Sequence, residues 1–121
     1  MESSHEAKQE VIEKMINSFA DHEPPFSSLG TPFLVDTEAI QTLVQMGEAA
    51  VPALVKALDT DNPKIVMYAA YCLGLIKDRS ALQALQRAKQ RLMASEPKRE
   101  YDFGAISAIS QAENNLLASS E

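Results

Sequence analysis

The 121 residues hold one cysteine, no tryptophan and only four glycines. A lone cysteine excludes an internal disulfide framework and a zinc site built from cysteines alone, so nothing here asks for an oxidising compartment. The scarcity of glycine, set beside heavy use of Ala, Leu, Gln, Glu and Lys, argues against both a turn-rich all-β chain and disorder, because few residues resist a helix. Long apolar runs are missing as well. The longest nearly uncharged stretch, residues 65–76, is too short to cross a bilayer. The opening Met1-Glu2-Ser3-Ser4-His5-Glu6 lacks the basic start and apolar run of a secretion signal, so a cytoplasmic protein with no membrane role is expected. There is no Gly-rich phosphate loop, no Gly-x-Ser-x-Gly elbow and no evident Ser, His and Asp set; no reaction is proposed and no cofactor is expected. What remains is a chain 45% apolar and suited to one compact, mostly helical domain that buries roughly two-thirds of its unfolded surface.

Charge is unevenly spread. Residues 1–61 carry eleven acids against three bases, net −8, whereas residues 62–121 carry eight bases against six acids, net +2. Lys77, Arg79, Arg87, Lys89, Arg91, Lys98 and Arg99 cluster with only Asp78 and Glu96 among them. A solvated helix face accounts for such a strip, and nucleic-acid binding through residues 77–99 is the minor alternative, since a net charge of −6 repels a polyanion on average.

Along the chain, residues 3–20 read as a helix with Val11, Ile12, Met15, Ile16 and Phe19 at spacings of three and four, an apolar face that needs a partner. Residues 21–33 hold three prolines and a glycine and read as an extended connector. Residues 34–121 contain an internal repetition. Leu43-Val44-Gln45-Met46-Gly47-Glu48-Ala49-Ala50-Val51-Pro52-Ala53-Leu54 is echoed by Leu73-Gly74-Leu75-Ile76-Lys77-Asp78-Arg79-Ser80-Ala81-Leu82-Gln83-Ala84-Leu85, the offset growing from 30 to 31 across the turn. Ala69, Cys72, Leu73 and Ile76 match Ala105, Ala108, Ile109 and Ala112 at an offset of 36. Helical self-similarity at this period means stacked helix pairs, because one pair alone leaves an apolar face uncovered. The expected fold is therefore an all-α solenoid of about three helix pairs with an N-terminal capping helix. Asp61 or Asn62 is placed to cap the helix opened by Pro63, Pro52 sits in a first turn, and Ile65, Ala69, Cys72, Leu73 and Ile76 form the core stripe of the central helix.

The segments Ala50-Val51-Pro52-Ala53-Leu54-Val55-Lys56-Ala57-Leu58, Asp61-Asn62-Pro63-Lys64-Ile65, Ala69-Ala70 and Leu73-Gly74 resemble a HEAT repeat, and more narrowly the short bacterial phycobilisome-lyase type. The resemblance covers residues 37–93, with an echo over 101–117. Val66 stands where that family commonly has arginine, so the Arg-to-Asp ladder between repeats is missing. One HEAT-repeat family, the deoxyhypusine hydroxylases, holds a di-iron centre through His-Glu pairs. Here His5-Glu6 and His22-Glu23 fall outside the matching slot, which is occupied by Met67-Tyr68, so the resemblance implies no metal site. Cys72 falls on the apolar stripe and reads as core, and Asp59-Thr60-Asp61-Asn62 reads as a turn and cap rather than a cation loop.

The central helix, residues 64–77, carries no charge between its ends, and its non-core side shows Met67, Tyr68, Tyr71, Gly74 and Leu75. In HEAT-like proteins the second helix of each pair lines the concave face. The resemblance then places Thr37 and Gln41, Met67 and Tyr71, and Phe103 and Ser107 in one column there, a docking groove for another protein; equally, Tyr68 and Leu75 pack under the first helix or the connector. The expected function is a non-catalytic protein-interaction or assembly module, with a homodimer open. The alternatives are a bilin lyase subunit or phycobiliprotein chaperone, and nucleic-acid binding through the basic strip. The polar side of residues 81–93, with Gln83, Gln86, Arg87 and Gln90 opposite Leu82, Leu85, Ala88 and Leu92, reads as a solvated convex layer.

Overall fold

The computed structural model describes residues 2–19, 38–94 and 102–118, with side chains described from residues 9 and 39 onward in the first two segments. Among these residues there are six α-helices and no strand: α1 (Glu2–Ser18), α2 (Glu38–Met46), α3 (Val51–Ala57), α4 (Pro63–Ile76), α5 (Leu82–Ala94) and α6 (Asp102–Ala118). They pair in chain order, α1 with α2, α3 with α4 and α5 with α6. Across pairs, α2, α4 and α6 lie side by side in one layer, and α1 lies against α3 in the other. The α4–α6 interface is the most extensive in the molecule. This is the short HEAT-like solenoid expected of the repetition. The connector 21–33, the loop 95–100, Thr37 and the His22-Glu23 pair lie outside the described residues, as do the side chains of His5 and Glu6. No described helix is long and apolar enough to cross a membrane.

The apolar positions of α1 find their partner. Ile12, Ile16 and Phe19, at spacings of four and three, are at most 6% exposed, while Val11 remains outside the face at 41%. Helix α1 packs on α2, α3 and α4 and so closes the N-terminal end of the stack. At its end the Phe19 ring stacks on Tyr68 of α4, centroids 4.8 Å apart and planes inclined by 17°.

Turn chemistry repeats with the sequence. Gly47 and Lys77, 30 residues apart, both take positive φ, 58° and 64°; Gly47 opens the short 3-10 turn Gly47–Ala49, and Lys77 comes two residues before the turn Arg79–Ala81. The Lys77 N–H donates to the Leu73 carbonyl at 3.0 Å, closing α4 with a left-handed cap. Asp78 then accepts from the Ser80 N–H at 3.0 Å. At the other end of α4 the cap is Asn62, whose side-chain oxygen accepts from the N–H groups of Lys64 at 3.0 Å and Ile65 at 3.4 Å. Pro63 occupies the first helical position, where a missing N–H leaves nothing unsatisfied.

The core stripe of α4 is as expected: Ala69, Cys72 and Leu73 are sealed, and Ile76 is partly buried against them. Their equivalents Ala105, Ala108, Ile109 and Ala112 are also buried, so the offset of 36 correctly aligns the third pair. Small residues bring α4 and α6 close together. A Cβ on Gly74 would lie 3.0 Å from the Ala112 Cα and 3.1 Å from its Cβ, and the Asn115 amide donates across the interface to the Gly74 carbonyl at 3.5 Å. A side chain here is accommodated only if α6 gives by a few tenths of an ångström, so glycine sets the close approach.

Candidate functional site

Surface on α4 is scarce. Val66, Met67, Tyr68, Ala69, Ala70, Cys72, Leu73 and Gly74 are all buried, and between its two ends only Tyr71 and Leu75 reach solvent. These two lie one turn apart on the same side, because four residues advance a helix by 400° and by about 6 Å. The repeat offsets carry them to Gln41 and Gln45 on α2 and to Ser107 and Gln111 on α6. All four are exposed. The free side of the α2–α4–α6 layer therefore presents two parallel rows, Gln41–Tyr71–Ser107 and Gln45–Leu75–Gln111, with neighbouring helices about 8–10 Å apart. None of the six side chains is ionised, in a chain of which 23% is charged. What such a surface offers chemically is hydrogen-bond donors and acceptors from three amides and a hydroxyl, around the apolar bodies of Tyr71 and Leu75.

The sequence-derived column divides in two. Gln41, Tyr71 and Ser107 share the free side. Met67 does not: at 1% exposure it belongs to the core, and so cannot meet a docked partner. The reason is geometric. Met67 lies seven residues before Gly74, two turns away on the same side, and that side is covered by α6. Gly74 is buried as well, and Tyr68 packs beneath Phe19 as the alternative of packing under the first helix expects, whereas Leu75 is exposed. Phe103 is the offset-36 equivalent of Met67 and therefore lies on the stacking side of α6, where it is 64% exposed. Thr37 lies outside the described residues. Gln45 and Gln111 lie on the free side outside that column; a glycine in the middle of an apolar helix marks the side another backbone approaches, and Gly74 shares that side with Met67.

The opposite layer carries the charge. On α5, Gln83, Gln86, Arg87 and Gln90 are exposed opposite buried Leu85, Ala88 and Leu92. Two bases of the 77–99 strip are engaged within the molecule. Lys89 pairs with Glu113 of α6 at 3.1 Å. Arg91 donates to the Leu58 carbonyl at 2.7 Å and the Thr60 carbonyl at 3.3 Å, with Asp59 at 3.7 Å, so that its guanidinium holds the end of α3. Lys77, Arg79 and Arg87 are exposed, and Lys98 and Arg99 lie outside the described residues.

Between α1 and α3 a cleft of about 430 Å³ runs over Ile16, Ala53 and Ala57, with Glu13 on one wall and Lys56 on the other. Thr60, the one hydroxyl in its lining, donates to the Ala57 carbonyl at 3.0 Å. Among the described residues no group of three His, Cys, Asp or Glu side chains gathers around a place for a cation, and Cys72 is buried.

Comparison with curated proteins and with solved structures gives no significant match. The family model for HEAT repeats matches residues 31–110, which takes in α2 to α5 and the first half of α6. With paired helices in two layers, a repeating left-handed turn and that match over most of its length, the chain belongs to the HEAT-repeat family.

Proposed function

We propose that this chain is a non-catalytic binding module for another protein, and that the partner docks on the free side of the α2–α4–α6 layer across the rows Gln41–Tyr71–Ser107 and Gln45–Leu75–Gln111. HEAT repeats generally mediate protein–protein interaction. The observation that carries the reading is that all six repeat-equivalent positions reach solvent and none is ionised. Amide and hydroxyl groups match the donors and acceptors of a polypeptide backbone, and their desolvation costs far less than that of Asp, Glu or Lys. Tyr71 and Leu75 supply the apolar area at the centre, where binding energy concentrates.

The test is affinity capture from the cell of origin with mass spectrometry, comparing the native chain with Leu75→Glu and Gln111→Glu. Both positions are exposed, so helical circular dichroism is expected to stay unchanged while the captured partner falls about tenfold or more. Undiminished capture by both variants overturns the assignment of this face. The narrower reading, a bilin lyase subunit or phycobiliprotein chaperone, rests on the repeat signature alone; a shifted visible absorption band on mixing with bilin is the measurement that decides it.

A further inference from the structure

The cleft between α1 and α3 differs from its repeat-equivalent place by one cation. At the offset of 31, Ala53, Ala57 and Thr60 of α3 and its end correspond to Ala84, Ala88 and Arg91 of α5. Arg91 reaches back to the Leu58 and Thr60 carbonyls at the end of the preceding helix, α3. Thr60 instead turns its hydroxyl onto the Ala57 carbonyl of its own helix, so it brings no cation to the end of α1. The space beside it stays open, about 430 Å³ over Ile16, Ala53 and Ala57. Helices α1 and α3 run the same way, because Phe19 at the end of α1 stacks on Tyr68, in the half of α4 next to the end of α3. Asn17 and Thr60 therefore line one end of the cleft, and Glu13 and Lys56 stand on its opposite walls one turn back, about 6 Å away. Both ionised side chains are exposed, and neither is paired with a described residue.

These charges name a ligand. The last carbonyls of a helix and its dipole favour a cation, as Arg91 occupies the end of α3. Glu13 calls for a second cation and Lys56 for an anion, while the apolar floor suits an aliphatic stem. Residues 1–61, which carry net −8, add a field that draws cations to this part of the molecule. An amino acid that ends in a guanidinium has this pattern. Its ammonium and carboxylate share one carbon, and its extended stem sets the guanidinium about 6 Å from that carbon. The planar fork, unlike an ammonium, bridges two carbonyls as Arg91 does. We propose that the α1–α3 cleft binds free L-arginine, with the guanidinium at the Asn17–Thr60 end, the α-ammonium on Glu13 and the α-carboxylate on Lys56.

The test is calorimetric titration of the full chain with L-arginine, L-citrulline and Nα-acetyl-L-arginine amide. Citrulline keeps the shape and loses the guanidinium charge; the capped compound keeps the guanidinium and loses both α charges. Arginine is expected to bind about tenfold more tightly than either. Two variants locate the site. Glu13→Gln is expected to weaken arginine binding about tenfold. Thr60→Arg, which supplies from within the chain the cation that Arg91 supplies one repeat on, is expected to abolish binding and to raise the thermal midpoint, with helical content unchanged in both variants. No binding at up to about 10 mM arginine, citrulline binding as tightly as arginine, or undiminished binding by Thr60→Arg overturns the proposal. Capped arginine binding as tightly as the free amino acid overturns the roles of Glu13 and Lys56 and gives the cleft to an arginine side chain of a polypeptide. The cleft lies in the other layer from the docking rows, so none of these results bears on partner capture by the Leu75→Glu and Gln111→Glu variants.

Discussion

Lys77 ends α4 with φ of 64°, in the place where the preceding repeat uses Gly47 at 58°. A residue with a Cβ is strained in this left-handed region by roughly 1–2 kcal/mol, whereas glycine enters it freely and instead loses more chain entropy on folding. The first effect exceeds the second, so Lys77→Gly is expected to raise stability by up to about 1 kcal/mol, read as a higher urea midpoint with an unchanged slope; a lower midpoint contradicts the argument. Gly74 shows the other use of a missing side chain. Its φ is ordinary, and what it provides is room for Ala112. The two glycines therefore look alike as letters and differ in cause, one serving the backbone and the other a neighbouring helix. Met67 was misread for the same reason: its periodicity places it away from the Ile65–Ala69–Cys72 stripe, but periodicity does not say how many neighbours a helix has.

At the scale of elements, the stack is joined by different means in its two layers. In the α2–α4–α6 layer, α4 meets α6 through close packing of small residues, Gly74 against Ala112. In the other layer, α5 reaches α3 through a long side chain, with Arg91 donating to the carbonyls of Leu58 and Thr60 at the end of α3. Those carbonyls belong to the end of a helix whose last groups have no partner within it, and a cation there is also favoured by the helix dipole. Arg91→Ala is expected to lower stability by about 1 kcal/mol, with Arg91→Lys restoring only part of it because an ammonium cannot hold both carbonyls with one nitrogen while a second faces Asp59. Thermal unfolding of the three proteins measures this, and equal midpoints would sink it. The missing Arg-to-Asp ladder anticipated from Val66 is thus accompanied by a different link between repeats, one the sequence reading had assigned to solvent. Arg91 falls on the polar side of α5, and no local pattern reveals that the end of α3 lies beside it.

For the molecule as a whole, three helix pairs are near the minimum at which stacking covers its own core. Helix α1 buries Ile12, Ile16 and Phe19 against α2, α3 and α4, and without it Tyr68 loses the ring stacked on it. Deleting residues 1–19 is therefore expected to abolish the cooperative unfolding transition and to expose dye-binding apolar surface; a sharp transition at the parental midpoint would show that α1 is dispensable. Much of the fold was legible in the sequence. The offsets of 30 and 36 align helices that do stack, the caps at Asn62 and Pro63 open α4, and the turn at Lys77 repeats that at Gly47, because each depends on neighbours within one or two turns of chain. Of the column read from the sequence, Gln41, Tyr71 and Ser107 reach solvent on one side of the layer and belong to the proposed docking face, whereas Met67 is buried. Helical period and repeat length follow from backbone geometry and the spacing of apolar residues, and both are written in the order of the amino acids. Which side of a helix meets another helix and which meets water depends on residues dozens of positions away, such as Ala112 opposite Gly74, and only packing in three dimensions decides it.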